Sequence, residues 1–477
     1  MTEAKTASTA GIIASLMLFG GVLARVVVEL SPSNLISLIS GFALLAYVVL
    51  LFRRLDRVAR IYLVVSLGIS VWIILFGTYD RELIVKAINS SGFLAFLLVA
   101  AGLLRKAAET SALVRQCGAA IISQPPGRRY FVLALGGNFF GFFLSVGALN
   151  ILCTMARNSI HADGPFEPGS DREKFAGIRL RRTGLAIVRG FSSTALWSPL
   201  SIPIALILAN NPVLGWPDLV GTGVTVATIF LLLGWTLDKV QNRGYPRRPL
   251  SDQLSGAETL RIFSRLIALV MLSPILGLLV SGFAGTSFIF GVLMCMAPIS
   301  FVWFIAQNVS GKQTTSVWMA TRTFAHSAGG TLLDMRLEVT IFLCAGFLSV
   351  LLVPQIDAVW LGNAIGSTGL PSGLILAVIC WTIFVLSFLG LNVAFQIAFT
   401  GELLRVMPGL EIDPRFSVIA LTATFAVIIG FAPLSIPIRL AASCLAKSGW
   451  EVGVRWNWAY SMIAMALITA LLFVVGI

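Results

Sequence analysis

Histidine is nearly missing from this chain: of 477 residues only His161 and His326 are histidines, and both fall in polar stretches between apolar ones. That scarcity excludes a histidine-built metal centre and leaves no ready base to activate a nucleophile. No HExxH or GxSxG pattern makes up for it, so an enzyme is not expected. Cysteine is sparse too. Cys117, Cys153, Cys295, Cys344, Cys380 and Cys444 show no close paired spacing and mostly sit in apolar runs, which marks small core residues rather than a redox or metal set. Charge is the third shortage. Charged residues make up 12% of the chain, where a soluble domain carries about 25%. Few carboxylates fall inside apolar segments, so a proton exchanger built on a buried acid has little to work with.

What remains is apolar: 57% hydrophobic residues and a mean hydropathy of +0.92. Most of the surface must face lipid, and the expected class is an all-α polytopic membrane protein. The net charge of +13 comes from arginines and lysines gathered in short turns between apolar segments. That is the positive-inside pattern, so the bilayer and not a nucleic acid is the expected partner. The first apolar run lacks a small-residue cleavage site and is expected to stay as a span.

A hydrocarbon core of roughly 30 Å takes about 20 apolar residues as a helix. On that rule spans fall near 10–29, 35–52, 61–77 and 88–104, then an apolar piece at 130–155, a Pro-broken span at 183–210 and a span at 217–237. The second half has spans near 263–282, 287–306 and 339–354, an apolar piece at 371–406, a broken span at 415–445 and a last span at 456–476. Six residues, PLSIPI, occur unchanged at Pro199 to Ile204 and at Pro433 to Ile438, once in each broken span. A helix break duplicated in corresponding halves of a membrane chain points to a transporter's substrate site.

Loop charge assigns sides. The turn with Arg53, Arg54, Arg57 and Arg60, the segment from Arg105 to Arg129 and the segment from Arg157 to Arg182 all read as cytoplasmic. The piece 130–155 therefore enters and leaves on one side, as a re-entrant hairpin whose small and polar middle, Phe142 to Asn150, suits a tip at depth. The same count makes 371–406 a second hairpin from the external side. Segment 312–336 reads as a cytoplasmic loop, 107–122 as an amphipathic interfacial lead-in, the N-terminus as cytoplasmic and the C-terminus as external. The outcome is about 11 transmembrane helices plus two re-entrant hairpins in two inverted-topology repeats. The N-terminal helix occupies 1–34, the first repeat 35–237, a basic linker 238–262 and the second repeat 263–477.

This order of parts resembles the ion transporter superfamily, with its divalent anion/sodium symporters and its arsenite and short-chain fatty acid permeases. The likeness covers about 35–476 at the level of architecture. Symporter tips carry Ser-Asn-Thr. Here the first tip reads Ser145, Val146, Gly147, with Asn150 further on, and the second reads Gly390, Leu391, Asn392. The breaks read Ser198-Pro199 and Ala432-Pro433. The resemblance implies hairpins and broken helices sliding against a scaffold, in a homodimer; the preference for Arg over Lys reads as bacterial, and the expected place is the inner membrane.

A broken helix presents N–H groups that attract anions and carbonyls that attract cations. The expected substrate site combines Ser145, Gly147, Asn150, Ser198, Pro199, Ser201, Asn392, Pro433 and Ser435 with two intramembrane arginines, Arg189 and Arg439. An arginine fork suits carboxylate, sulfonate or sulfate, although Arg189 also lies close enough to the cytoplasmic loop to snorkel there. No resident cofactor is expected. A coupling Na+ would find oxygens near Ser145, Asn150, Ser193, Thr194 and Asn392, and H+ stays open. Glu402 and Arg405 read as an external surface pair, and Arg25 either snorkels or pairs with Glu29. The expectation is a secondary active transporter of a small anion; a Na+/H+ exchanger or an anion channel on the same scaffold is the alternative.

Overall fold

The computed structural model describes residues 9–78, 80–124, 128–161, 169–209, 214–243, 256–309, 316–407 and 413–475. Helix follows helix, with no strand among the described residues, and eight helices are long and apolar enough to cross a membrane. The chain is an all-α polytopic membrane protein. Residues 244–255 of the expected 238–262 linker lie outside the described residues.

Four helices open the fold: α1 (Thr9–Leu30), α2 (Asn34–Leu51), α3 (Arg57–Phe76) and α4 (Arg81–Glu109). Their starts are set locally. Asp56 Oδ1 accepts the Ala59 N–H at 2.8 Å and Asp80 Oδ1 the Leu83 N–H at 2.6 Å, each satisfying a donor that the first helical turn leaves open. α2 and α3 keep broad apolar faces exposed, for example Phe42, Ile61 and Phe76, as lipid-facing helices do. α4 differs: with 29 residues it runs roughly 43 Å, and it is buried along most of its length.

The amphipathic lead-in is a helix with one packed face. α4 ends at Glu109, and after Ser111 α5 (Ala112–Ile122) buries Val114, Cys117 and Ile121. Next come α6 (Arg129–Leu144) and α7 (Gly147–Ile160), joined by two residues. At 16 and 14 residues they reach roughly 24 and 21 Å, short of a full crossing, as a hairpin requires. α8 (Asp171–Ser193) breaks and resumes as α9 (Ile202–Ala209), and α10 (Trp216–Gln241) closes the first half.

The second half repeats the order: α11 (Gly256–Ala284), α12 (Phe288–Val309), then α13 (Val317–Asp334), α14 (Arg336–Leu352) and α15 (Ala358–Gly366). The reading of 312–336 as loop is corrected by α13, which Ser316 caps through the Met319 N–H. Its polar face, with Arg322 and His326, masked a helix whose Phe324 packs on Phe301 and Phe304. α16 (Ser372–Phe388) and α17 (Val393–Val406) form the second hairpin. α18 (Pro414–Ile429) and α19 (Ile436–Leu445) form the second broken helix. A short π-helical turn, Trp450–Arg455, leads into α20 (Trp458–Val475).

α4 and α14, one from each half, lie antiparallel. Along α4, Leu83 shares a cavity wall with Val353, Ser91 Oγ donates to the Leu343 carbonyl at 3.0 Å, and Gly102 lies against Met335. As numbers rise on α4 they fall on α14, so the two hairpins are entered from helices of opposite direction.

Candidate functional site

The two breaks have the same hydrogen bonds at equivalent positions. Pro199 and Pro433 stand 234 positions apart. In the first break the N–H groups of Trp197 and Ser198 both donate to the Thr194 carbonyl, Ser201 N–H to Ser198 O and Ala205 N–H to Ser201 O. In the second, Phe431 and Ala432 donate to Ile428, Ser435 to Ala432 and Arg439 to Ser435. The serine inside each PLSIPI adds the same side-chain bond, Ser201 Oγ to Ala195 O at 3.1 Å and Ser435 Oγ to Ile429 O at 3.3 Å. Pro at each second helical half removes an N–H that would have no partner there. The identical hexapeptide thus encodes one turn, built twice.

Each break packs on its own hairpin through an aromatic two residues before the motif. Trp197 stacks on Phe142 with ring centroids 5.4 Å apart and a 3° interplanar angle, and its Nε1 donates to Asn138 Oδ1 at 3.2 Å. Phe431 stacks on Phe384 at 5.1 Å and on Phe388 at 5.7 Å. The second arm of each hairpin crosses to the other half. Asn150 on α7 accepts from Cys444 Sγ on α19 at 3.3 Å, while a Cβ on Gly401 of α17 would lie 3.3 Å from Ile207 of α9. Hairpins and broken helices form one interlocked body.

The hydroxyls at the first break are engaged within that body. Ser193 accepts from Asn138 Nδ2 at 2.7 Å, Thr194 donates to the Asn138 carbonyl at 2.9 Å, and Ser198 Oγ accepts the Leu200 N–H. Pro199 is buried and Pro433 half-buried. At the first tip Ser145 adopts φ 50° and ψ −137°, a strained conformation for a residue with a side chain. Gly147 beside it backs onto Arg105, where a Cβ would come within 2.6 Å of Cδ. At the second tip Gly390 has φ 109°, and a Cβ there would meet Leu434 of the second break at 3.3 Å. Asn392 caps α17 by accepting from the Ala394 and Phe395 N–H groups, and its own N–H donates to Tyr62 Oη at 2.7 Å. Among the described residues no group of three His, Cys, Asp or Glu is placed to hold a metal ion.

The two arginines part company. Arg189 is 2% exposed. Its Nε donates to Asn457 Oδ1 at 2.8 Å, Nη1 to the Gly234 carbonyl at 3.2 Å, and the guanidinium lies 4.6 Å from the Tyr460 ring centre. It is a buried strut and does not snorkel. Arg439 is exposed on the first turn of α19. Its counterpart in the first half is buried Ala205. Glu402, expected at the surface, is 6% exposed and bonded to Lys86 on α4 at 2.8 Å as well as to Arg405. Arg25 pairs with Glu29 at 2.7 Å.

Sequence reasoning missed Asn457. Its Nδ2 donates to the Gly430 carbonyl at 2.7 Å, at the end of α18. The equivalent place in the first half is Gly223, packed against the Leu196 carbonyl. The available signal was Gly215-Trp216 against Gly449-Trp450, which keeps the 234-residue spacing of the motif. Trp216 Nε1 donates to the Trp197 carbonyl at 2.8 Å.

No family model matches the sequence, and no curated protein matches it. Solved structures share its fold, two of which follow. The YdaH transporter of Alcanivorax borkumensis aligns with a TM-score of 0.50 and 17% identity, covering 79% of this chain and 84% of that one. MtrF of Neisseria gonorrhoeae, described within a class of antimetabolite efflux pumps, aligns with a TM-score of 0.52 and 14% identity, covering 87% and 93%.

Proposed function

We propose that the chain is a secondary active transporter of a small anion, an organic carboxylate, a sulfonate or an inorganic oxyanion, coupled to Na+ or H+. One observation carries this reading: two helix breaks with matching hydrogen bonds, each held by a hairpin, in halves whose long helices α4 and α14 run antiparallel. Inverted repeats with discontinuous helices at their interface are the architecture of alternating access. The fold shared with YdaH and MtrF supports a transporter. Arg439, exposed one turn past a break, is the cation we assign to the anion, with the helix N-terminus at Ser435 beside it. Arg189 supports the site from behind.

In this reading the repeats 35–237 and 263–477 are inverted in a bacterial inner membrane, in a homodimer, with the N-terminus cytoplasmic and the C-terminus external. The interlocked hairpins and broken helices move against the remaining helices as an elevator. The membership in the ion transporter superfamily belongs to the same proposal.

The test is a thermal-shift screen of the purified protein against carboxylates, sulfate, sulfonates and arsenite, with and without sodium, because a ligand that binds only the folded state raises the melting temperature. A shift with one anion class, lost in Arg439→Ala, is expected. Absence of any anion-induced shift would overturn the anion reading and favour a cation exchanger.

A further inference from the structure

Away from the breaks, a cavity of about 610 Å3 lies between α1, the start of α2 and the first turns of α4. Its wall includes Arg25, Lys86, Asp80, Glu82, Asn89 and Ser90. Arg25 is 8% exposed; its Nε donates to the Asn89 carbonyl at 3.1 Å and its Nη2 to Glu29. Nη1, Asn89 Oδ1 and Ser90 Oγ are buried without a hydrogen-bond partner. Three orphaned polar groups in one wall mark a place where something polar belongs.

Charge defines what. Two cations, Arg25 and Lys86, and two carboxylates, Asp80 and Glu82, line the same space. Arg25 and Lys86 already hold Glu29 and Glu402 but keep N–H donors to spare, and Asp80 and Glu82 add acceptor oxygens; a zwitterion answers both sets. Position narrows the source. The cavity opens at the end of the fold opposite the turn of Arg53 to Arg60, next to Asn34, and below Asn34 the face of α2 exposes Leu35 (68%), Leu38 (44%) and Phe42 (73%). Acyl chains would lie along that face while a headgroup enters the cavity.

We infer that this cavity binds a zwitterionic phosphoethanolamine group, its phosphate held by Arg25 and Lys86 and its ammonium by Asp80 and Glu82. Lys86 is also the partner of Glu402 on the second hairpin, so the phosphate and Glu402 share one cation. An occupied cavity loosens the hairpin's hold on α4. The inference stands apart from the transport reading and survives its failure.

Native mass spectrometry of the delipidated full chain tests it, with phosphatidylethanolamine and phosphatidylglycerol of matched acyl chains as probes and glycerophosphoethanolamine as soluble competitor. Retention of phosphatidylethanolamine over phosphatidylglycerol is expected. Arg25→Gln should cut retention about tenfold, the loss of one charged hydrogen bond. Glu82 is exposed, so Glu82→Gln should fold normally and erase the preference between the lipids. Displacement by glycerophosphoethanolamine assigns recognition to the headgroup; binding of that solute with no lipid retained assigns the site to a free phosphoethanolamine compound. Equal retention of both lipids, or a wild-type preference in Glu82→Gln, overturns the inference.

Discussion

Arg189 and Asn457 lie 268 residues apart in sequence and share a 2.8 Å hydrogen bond at the centre of the fold. Asn457 passes the connection on to the Gly430 carbonyl at 2.7 Å, so the broken helix of one half is braced by the break of the other. A guanidinium at this depth has the Asn457 amide, a backbone carbonyl and the Tyr460 ring as its surroundings, and removing it strands polar groups that water cannot reach.

Arg189→Met is therefore expected to lower stability by about 2–5 kcal/mol, because it strands the buried Asn457 Oδ1 and Gly234 carbonyl acceptors, each costing about 1–3 kcal/mol when left without a donor. The melting temperature in detergent should fall clearly, with or without ligand. Arg439→Ala should melt with the wild type and lose anion binding. An Arg189→Met protein as stable as the wild type would remove the strut.

Glycines on α8 should respond oppositely according to their neighbours. A Cβ at Gly190 would run into the Ala134 carbonyl of the first hairpin, whereas Gly177 has nothing within 4 Å. Gly190→Ala should sharply reduce the yield of folded protein. Gly177→Ala should raise stability by up to about 1 kcal/mol, since alanine is the better residue in an exposed helix interior. Similar melting curves for both variants would mean that α6 and α8 are not packed this closely.

Ser145 holds φ 50° at the first tip, where glycine would relax. Ser145→Gly should stabilise the protein by about 1 kcal/mol, since a residue held in a sparsely populated region costs of that order. Loss of anion binding together with gained stability would mark the serine hydroxyl as part of the site. A destabilised variant would show that the tip is not strained.

Inversion can be read directly. Lys174 and Arg415 are exposed near the starts of α8 and α18, the equivalent first halves of the broken helices. With Cys444 replaced, single cysteines at these two positions should react with a membrane-impermeant maleimide from opposite faces of sealed vesicles. Reaction from the same face would end the inverted arrangement.

The breaks and hairpins were legible because Pro and a repeated hexapeptide are local signals. The rule of about 20 apolar residues per crossing placed the long spans within about seven residues at either end. Other parts were hidden for physical reasons. α13 carries enough polar residues on one face to read as loop. Glu402 looked like half of a surface pair because its second cation, Lys86, lies 316 residues away. Asn457 escaped because its equivalent is Gly223, and nothing in composition links an amide in one half to a glycine in the other. The role of Arg189 depended on partners that only the folded chain brings together.

Both PLSIPI turns are closed by their own backbone and by Ser201 and Ser435. An arriving ligand has no turn to fold, and a departing one leaves none to collapse. In the proposed transport cycle the empty protein would keep the internal shape of the loaded one, so that its return without cargo would need no refolding.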